Sequence, residues 1–232
     1  MSFVSFMQEN YHLFVELNEH AGVVPWFDTL MIFCANNLIF CWPILMLMAW
    51  GLPANWRRRA LSPASEVLIQ ERRSAVLWTA IACLVAYAIN LTVEQFINEP
   101  RPFVSHHVHL LVAHAADGSF PSDHTAWSFA VVGMLALSLF SWLKLAPASN
   151  LTGKGRILGL TPKFFAVLLL VALAMACIIG IARVFVGVHY PGDIVGGAVS
   201  GLCASALVTA LRRWLHNPTE RVLSFVQRIR LA

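Results

Sequence analysis

Five long apolar stretches, about Trp26–Trp50, Ser74–Val93, Thr125–Leu143, Phe164–Ile181 and Gly192–Leu211, constrain this chain more than any other feature. Crossing a hydrocarbon core of roughly 30 Å takes about 20 helical residues, and each stretch reaches that length. Backbone polar groups cannot stay unpaired in lipid, so a spanning segment is a helix or a strand of a closed barrel. The runs are continuous and lack the period-2 alternation of barrel strands, which selects helices. The expected fold is therefore all-α, an integral membrane bundle of about five transmembrane helices. Composition agrees: 58% of the 232 residues are hydrophobic and 12% charged, with a mean hydropathy of +0.68, too apolar for a soluble domain of this length.

Residues 1–25 carry no Lys or Arg, so they lack the positive n-region of a signal peptide, and no small-residue cleavage site follows; the segment is expected to be retained. Phe3, Met7, Tyr11, Phe14 and Val15 recur at helical spacing, with Glu9, Glu16 and Glu19 on the other face. This pattern predicts an N-terminal amphipathic helix lying at the membrane surface. Neither a low-complexity run nor a Gly/Ser linker divides the chain, which reads as one domain over 1–232: an interfacial helix (1–25), a transmembrane core (26–211) and a cytoplasmic tail (212–232). Leu145–Leu160, with Pro147, Gly153, Gly155 and Gly159, reads as a flexible loop. The five cysteines, Cys34, Cys41, Cys83, Cys177 and Cys203, all fall inside spans; without paired spacing they read as small packing residues, not as disulfides or zinc ligands.

The sixteen Lys and Arg residues set the topology. Five lie in Pro53–Arg73 (Arg57, Arg58, Arg59, Arg72, Arg73), four between Lys144 and Lys163 (with Lys154 and Arg156), and five in the tail from Arg212 to Arg230. These segments share one side, which the positive-inside rule makes cytoplasmic. The net charge of +4 thus describes loops that meet anionic lipid head groups, and a nucleic-acid surface has no support. Only Arg101 and Arg183 fall on the outer side, and a charge near the bilayer that topology does not require marks a functional site.

Polar chemistry concentrates at three outer span ends. The first is Glu94 to Pro102, the second Ser119-Phe-Pro-Ser-Asp-His124, the third Arg183-Val-Phe-Val-Gly-Val-His189-Tyr-Pro-Gly-Asp193. In the second, Pro121 suits the first turn of a helix; the free N–H groups of that turn and the Ser122 hydroxyl either hold a phosphate or merely cap the helix. In the third, Asp193 stands four residues from His189. It either fixes the imidazole tautomer so that the other nitrogen is a nucleophile, or it is a capping residue beside an interfacial histidine. Snorkelling would explain one outer arginine; it does not explain two isolated ones beside these motifs, where guanidinium groups match phosphate oxygens bidentately. The outer-loop histidines His106, His107, His109 and His114 read as polar lining rather than as a metal site, because no Cys and only Asp117 stand near them.

Arg101-Pro102, Pro121-Ser122 with His124, and Arg183, His189, Asp193 resemble the three motifs of the type 2 phosphatidic acid phosphatase superfamily, in order and spacing. Three departures are visible: Glu94 stands where that pattern has Lys, Asp123 where it has Gly, and Ala182 where it has Ser. Pro-Ser-Asp-His at 121–124, Arg-Pro-Phe-Val at 101–104 and Gly-Val-His-Tyr-Pro-Gly-Asp at 187–193 are similar to the bacitracin-resistance-type undecaprenyl-diphosphatases within it. The resemblance implies that His189 attacks phosphorus, Asp193 orients it, and His124 protonates the leaving oxygen and then activates water. It further implies that Arg101, Arg183 and Ser122 hold the phosphate, with Glu94 and Asp123 as modulators and no metal or other cofactor.

The implied substrate is a polyprenyl or other lipid (di)phosphate, first of all undecaprenyl diphosphate, drawn from the surrounding membrane lipids. The implied location is the bacterial inner (plasma) membrane, with the site facing the periplasm or cell exterior. Two alternatives stand beside this one. The same residues would serve a phosphatase of phosphatidylglycerol phosphate or phosphatidate, or a lipid phosphotransferase, and the outer arginines alone would serve a non-enzymatic transporter or scaffold.

Overall fold

A computed structural model describes residues 3–51, 63–145 and 161–228. Arg57, Arg58 and Arg59, residues 146–160 of the expected flexible loop with Lys154 and Arg156, and Arg230 lie outside the described residues. The elements are α1 (Phe3–Asn18), α2 (Pro25–Asn36), a 3₁₀ turn (Leu38–Phe40), α3 (Cys41–Gly51), α4 (Pro63–Glu94), α5 (Pro102–Ser105), α6 (Asp123–Leu145), α7 (Pro162–Phe185) and α8 (Pro191–Arg228). Five of these helices open on proline, whose fixed φ and missing N–H suit the first helical position. At α7 the Thr161 hydroxyl also accepts from the Phe164 amide at 3.4 Å. The chain folds as the all-α membrane bundle that hydropathy implies.

Among the described residues, four helices are long and apolar enough to cross a bilayer: Ile69–Glu94, Asp123–Ser141, Pro162–Phe185 and Pro191–Arg212. The stretch expected as a first span, Trp26–Trp50, is not one straight helix: α2 meets the segment Leu38–Gly51, the 3₁₀ turn with α3, at 42°. Polar Asn36 and Asn37 sit at the break, and Pro43, two residues into α3, has no amide to continue the ladder. Trp42 anchors the new direction by donating its indole N–H to the Ser128 hydroxyl on α6 at 2.9 Å. Helix α8 continues to Arg228, well into the expected tail.

Helix α6 occupies the centre, against α8, α4 and α7. Its contact with α8 is made by small residues: a Cβ on Gly201 would collide with the backbone of Ala126 and Ala130. Lipid gives packed helices no hydrophobic drive to associate, so close backbone approach through small residues holds such pairs together. Trp78, Ala82 and Ala86 of α4 fill the other flank, and Ala172, Ala176 and Ile179 of α7 close the third. Large apolar side chains such as Leu47, Leu84, Leu170 and Val195 point outward, as lipid-facing positions require.

Helix α1 forms as expected, but with a different buried face. Met7, Tyr11 and Val15 are exposed, while Asn10, Phe14 and Asn18 are buried. Asn10 accepts from the Gly192 amide at 2.7 Å. Asn18 donates to the carbonyls of Phe185 and His109, both at 2.9 Å, and accepts from the His109 amide at 2.9 Å. Phe14 packs on Val184 and Tyr190. The asparagines satisfy backbone groups left open where α7 ends and α8 begins, so α1 lies across those ends.

Enlarging Gly201 tests the packing. Gly201→Leu is expected to destabilise the protein by about 1–3 kcal/mol or more, whereas lipid-facing Leu84→Ala stays within about 0.5 kcal/mol, as read by thermal unfolding in detergent.

Candidate active site

The end of α7, the turn 186–190 and the start of α8 build the centre of the site. Gly187 makes that turn with φ +89°, a conformation that disfavours side chains, and a Cβ there would lie 2.8 Å from the His109 carbonyl. The turn directs His189 inward, where it is 2% exposed. Asp193, one helical turn on, is fully buried; its Oδ2 lies 3.2 Å from His189 Nδ1 and accepts from the Tyr190 amide at 2.8 Å and from the Ser119 hydroxyl. A carboxylate fixed by two donors holds the proton on Nδ1, which leaves a lone pair on Nε2.

Two arginines converge on that lone pair. Arg101 Nη1 lies 3.1 Å and Arg183 Nη2 3.5 Å from His189 Nε2. Arg101, the residue before α5, also donates from Nη1 to the Val188 carbonyl at 3.0 Å and from Nε to Asp117 at 2.7 Å. Arg183, on the last turn of α7, donates from Nη2 to His114 Nε2 at 2.8 Å. Its Nε is buried and has no hydrogen-bond partner among the described residues. Both side chains are buried, at 6% and 2% exposure, yet among the described residues the only ion pair between them and a carboxylate joins Arg101 to the exposed Asp117. Buried cations left short of counter-charge, one with a donor unused, have the chemistry to receive an anion.

Burial first, then Arg183 and Arg101, push His189 well below the ordinary histidine range, so its imidazole is neutral. Burial pulls Asp117 upward, but the hydrogen bond and charge of Arg101 outweigh it and hold the carboxyl below its ordinary range. Burial, with the Asp193 carboxylate behind it, pushes Glu99 up to about 7.

The remaining motif residues divide. His124, the second residue of α6, lies half-buried in the field of Arg183, His189, His114 and Arg101. Ser122 is buried, but its amide donates to the Asp193 carbonyl at 3.1 Å and its hydroxyl accepts from Thr125 at 3.2 Å, so it ties α6 to α8. Helix α6 begins at Asp123, so Pro121 precedes the helix rather than opening it. Asp123 accepts from Asn90 of α4 at 2.8 Å, and Glu94 accepts from the Gly118 amide at 3.2 Å. Both acids that depart from the family pattern are thereby bound to the scaffold.

Sequence reasoning gave no specific role to three residues here: Ser119, which bonds to Asp193; Asn90, which holds Asp123; and His114, placed there only as polar lining, which reaches Arg183. Of the other outer-loop histidines, His106 stacks on Tyr11 with ring centres 4.2 Å apart and His109 is tied to Asn18. Distinct partners, not sequence spacing, separate His106, His109 and His114.

Glu99 gives a pH test. Its carboxyl is raised from 4.5 to about 7 in the fold, so its contribution to stability is full below the unfolded value and is lost as pH rises through about 7. Glu99→Gln is therefore expected to raise the unfolding temperature above wild type at about pH 8, with the advantage gone by about pH 4, measured by thermal unfolding in detergent.

A family model described as the PAP2 superfamily matches residues 75–217, from α4 through most of α8. The chain is 32% identical over 203 residues to YbjG of Escherichia coli, covering 86% of this chain and 81% of that one. It is 31% identical over 193 residues to the undecaprenyl-diphosphatase BcrC of Bacillus subtilis, covering 82% and 77%. The solved PAP2-type phosphatidylglycerolphosphate phosphatase from Bacillus subtilis shares the fold, with a TM-score of 0.60 at 17% identity over 91% of this chain and 88% of that one. Motifs, helix order and matched length agree: this multi-pass membrane chain belongs to the PAP2 superfamily.

Proposed function

We propose that this chain is a lipid phosphatase that hydrolyses undecaprenyl diphosphate to undecaprenyl phosphate and inorganic phosphate, and so recycles a cell-wall lipid carrier. One observation carries the reading: two buried guanidinium groups converge on the free nitrogen of a histidine whose other nitrogen is held by a buried carboxylate. That arrangement suits attack on a phosphorus atom whose oxygens the arginines neutralise. Identity of 31% to a named undecaprenyl-diphosphatase over most of both chains supports the substrate.

In the proposed reaction the terminal phosphate displaces the arginine contacts at His189 Nε2 and takes them for itself. Nε2 attacks the terminal phosphorus, a P–N bond forms, and the bond to the bridging oxygen breaks with its electron pair going to undecaprenyl phosphate. His124 gives that oxygen its proton. Asp193 stabilises the positive charge that develops on the ring through Nδ1. Water then attacks the phosphohistidine, His124 takes the water proton, the P–N bond breaks, and inorganic phosphate leaves. Arg101 and Arg183 carry the charge of both transition states, with Ser122, Glu94 and Asp123 holding the surrounding frame.

The proposed setting is a bacterial plasma membrane with the site outward. By chain order, fourteen of the sixteen Lys and Arg residues fall in connections and a tail on the other side of the spans, which supports this orientation. The whole chain is proposed to act as one domain.

Phosphate release from undecaprenyl diphosphate by purified protein in EDTA is expected to match that without chelator, and His189→Ala is expected to lower it about 10³-fold or more with normal membrane insertion. Retained activity in His189→Ala would sink the mechanism. His124→Ala is expected to slow hydrolysis of the intermediate more than its formation, so an acid-labile, base-stable phosphoprotein should accumulate during turnover of ³²P-labelled substrate.

A further inference from the structure

The outer loop brings the site one more nitrogen than the proposed reaction uses. His114 is partly buried, with its ring centre 6.3 Å from that of His189. Its Nδ1 lies 3.1 Å from the Ala115 carbonyl, which can only accept, so Nδ1 carries the proton and Nε2 presents a lone pair to Arg183 Nη2 at 2.8 Å. The same Nη2 lies 3.5 Å from His189 Nε2. A phosphate seated on Arg183 and His189 therefore competes with His114 for that N–H, and its oxygens face a lone pair. One proton taken up at His114 Nε2 converts this repulsion into a charge-assisted hydrogen bond.

Charge balance points the same way. A lipid diphosphate brings more negative charge than two guanidinium groups neutralise when Arg101 is already shared with Asp117. The nearby position that carries Lys in the family pattern is Glu94, which is engaged with Gly118. Facing His114 are Arg101, Arg183, His189 and His124 toward the site, with the Ala115 carbonyl and Asp117, whose Oδ1 is 3.8 Å from Nδ1, on the outer side. Burial, and behind it Arg101 and Arg183, push His114 below the ordinary histidine range against the pull of Ala115 and Asp117. An anion on the two arginines cancels their push and leaves Asp117 to favour the cation.

We propose that His114 is a further substrate-binding residue, which takes up a proton as the lipid diphosphate binds and donates it in a hydrogen bond to a phosphate oxygen. This rests on the lipid-diphosphatase reading above.

The test uses the full chain in detergent, with two measurements: steady-state phosphate release from undecaprenyl diphosphate, and calorimetric binding of inorganic phosphate. His114→Ala and His114→Gln are expected to raise KM roughly 10- to 100-fold with little change in kcat, and to weaken phosphate binding in parallel. His114→Lys, a standing cation, is expected to keep KM near wild type. The ratio of the His114→Ala KM to the wild-type KM is expected to be largest near about pH 6 and to shrink toward one by about pH 9, because only the wild type loses a donor as pH rises. Unchanged KM and phosphate binding in His114→Ala would overturn the proposal. So would a His114→Lys variant as impaired as His114→Ala, since that pattern means the ring only props the loop. If the wild type binds phosphate through His114 but releases none from the lipid, the substrate reading fails and the binding role stands.

Discussion

Arg101 and Arg183 are both buried, and both reach the same imidazole nitrogen, so two like charges share a small site of low dielectric. At an effective dielectric of about 20, unit charges roughly 6 Å apart repel by about 3 kcal/mol, a large share of a typical folding free energy. Much of the surrounding structure restrains that repulsion. The Val188 carbonyl and Asp117 hold Arg101, and His114 meets Arg183. The turn at Gly187, the start of α6 and the loop from Glu94 to Ser122 are the parts that bring these partners in. The strain is useful only to an anion, which relieves it on binding.

The two acidic departures from the family pattern become intelligible in this setting. A carboxylate free to swing toward the arginines would compete with phosphate. Asp123 is instead turned toward Asn90 on α4, and Glu94 toward the Gly118 amide, where a side chain at 118 would have no room. Each acid spends its lone pairs on the scaffold. Asp117 is the acid that does engage an arginine, and it does so from the exposed side, where exchange with solvent is easiest.

What was legible in the sequence follows a physical division. Spans are set by the solvent, so hydropathy alone located four of them within a few residues, and the motif residues were recognisable because phosphate chemistry restricts the residue types that can perform it. The bend at Asn37 was legible in principle, since Asn36, Asn37 and Pro43 interrupt an otherwise apolar run, but length hid it. The buried face of α1 was not. Hydropathy scores Asn10 and Asn18 as solvent-facing, whereas their partners are backbone groups on α8 and α7, 182 and 167 residues away. Ser119 and His114 escaped for the same reason: a hydroxyl and one imidazole among four acquire roles only when the fold chooses their neighbours.

The position of α1 also fixes an order of events. It precedes α7 and α8 in the chain, yet two of the groups it satisfies, the Phe185 carbonyl and the Gly192 amide, belong to those helices. During synthesis Asn10 has no Gly192 amide to accept from, and Asn18 no Phe185 carbonyl to donate to, until α7 and α8 have been made. The docking of α1 across these helix ends is thus completed only once α7 and α8 are in place, although α1 is made before them.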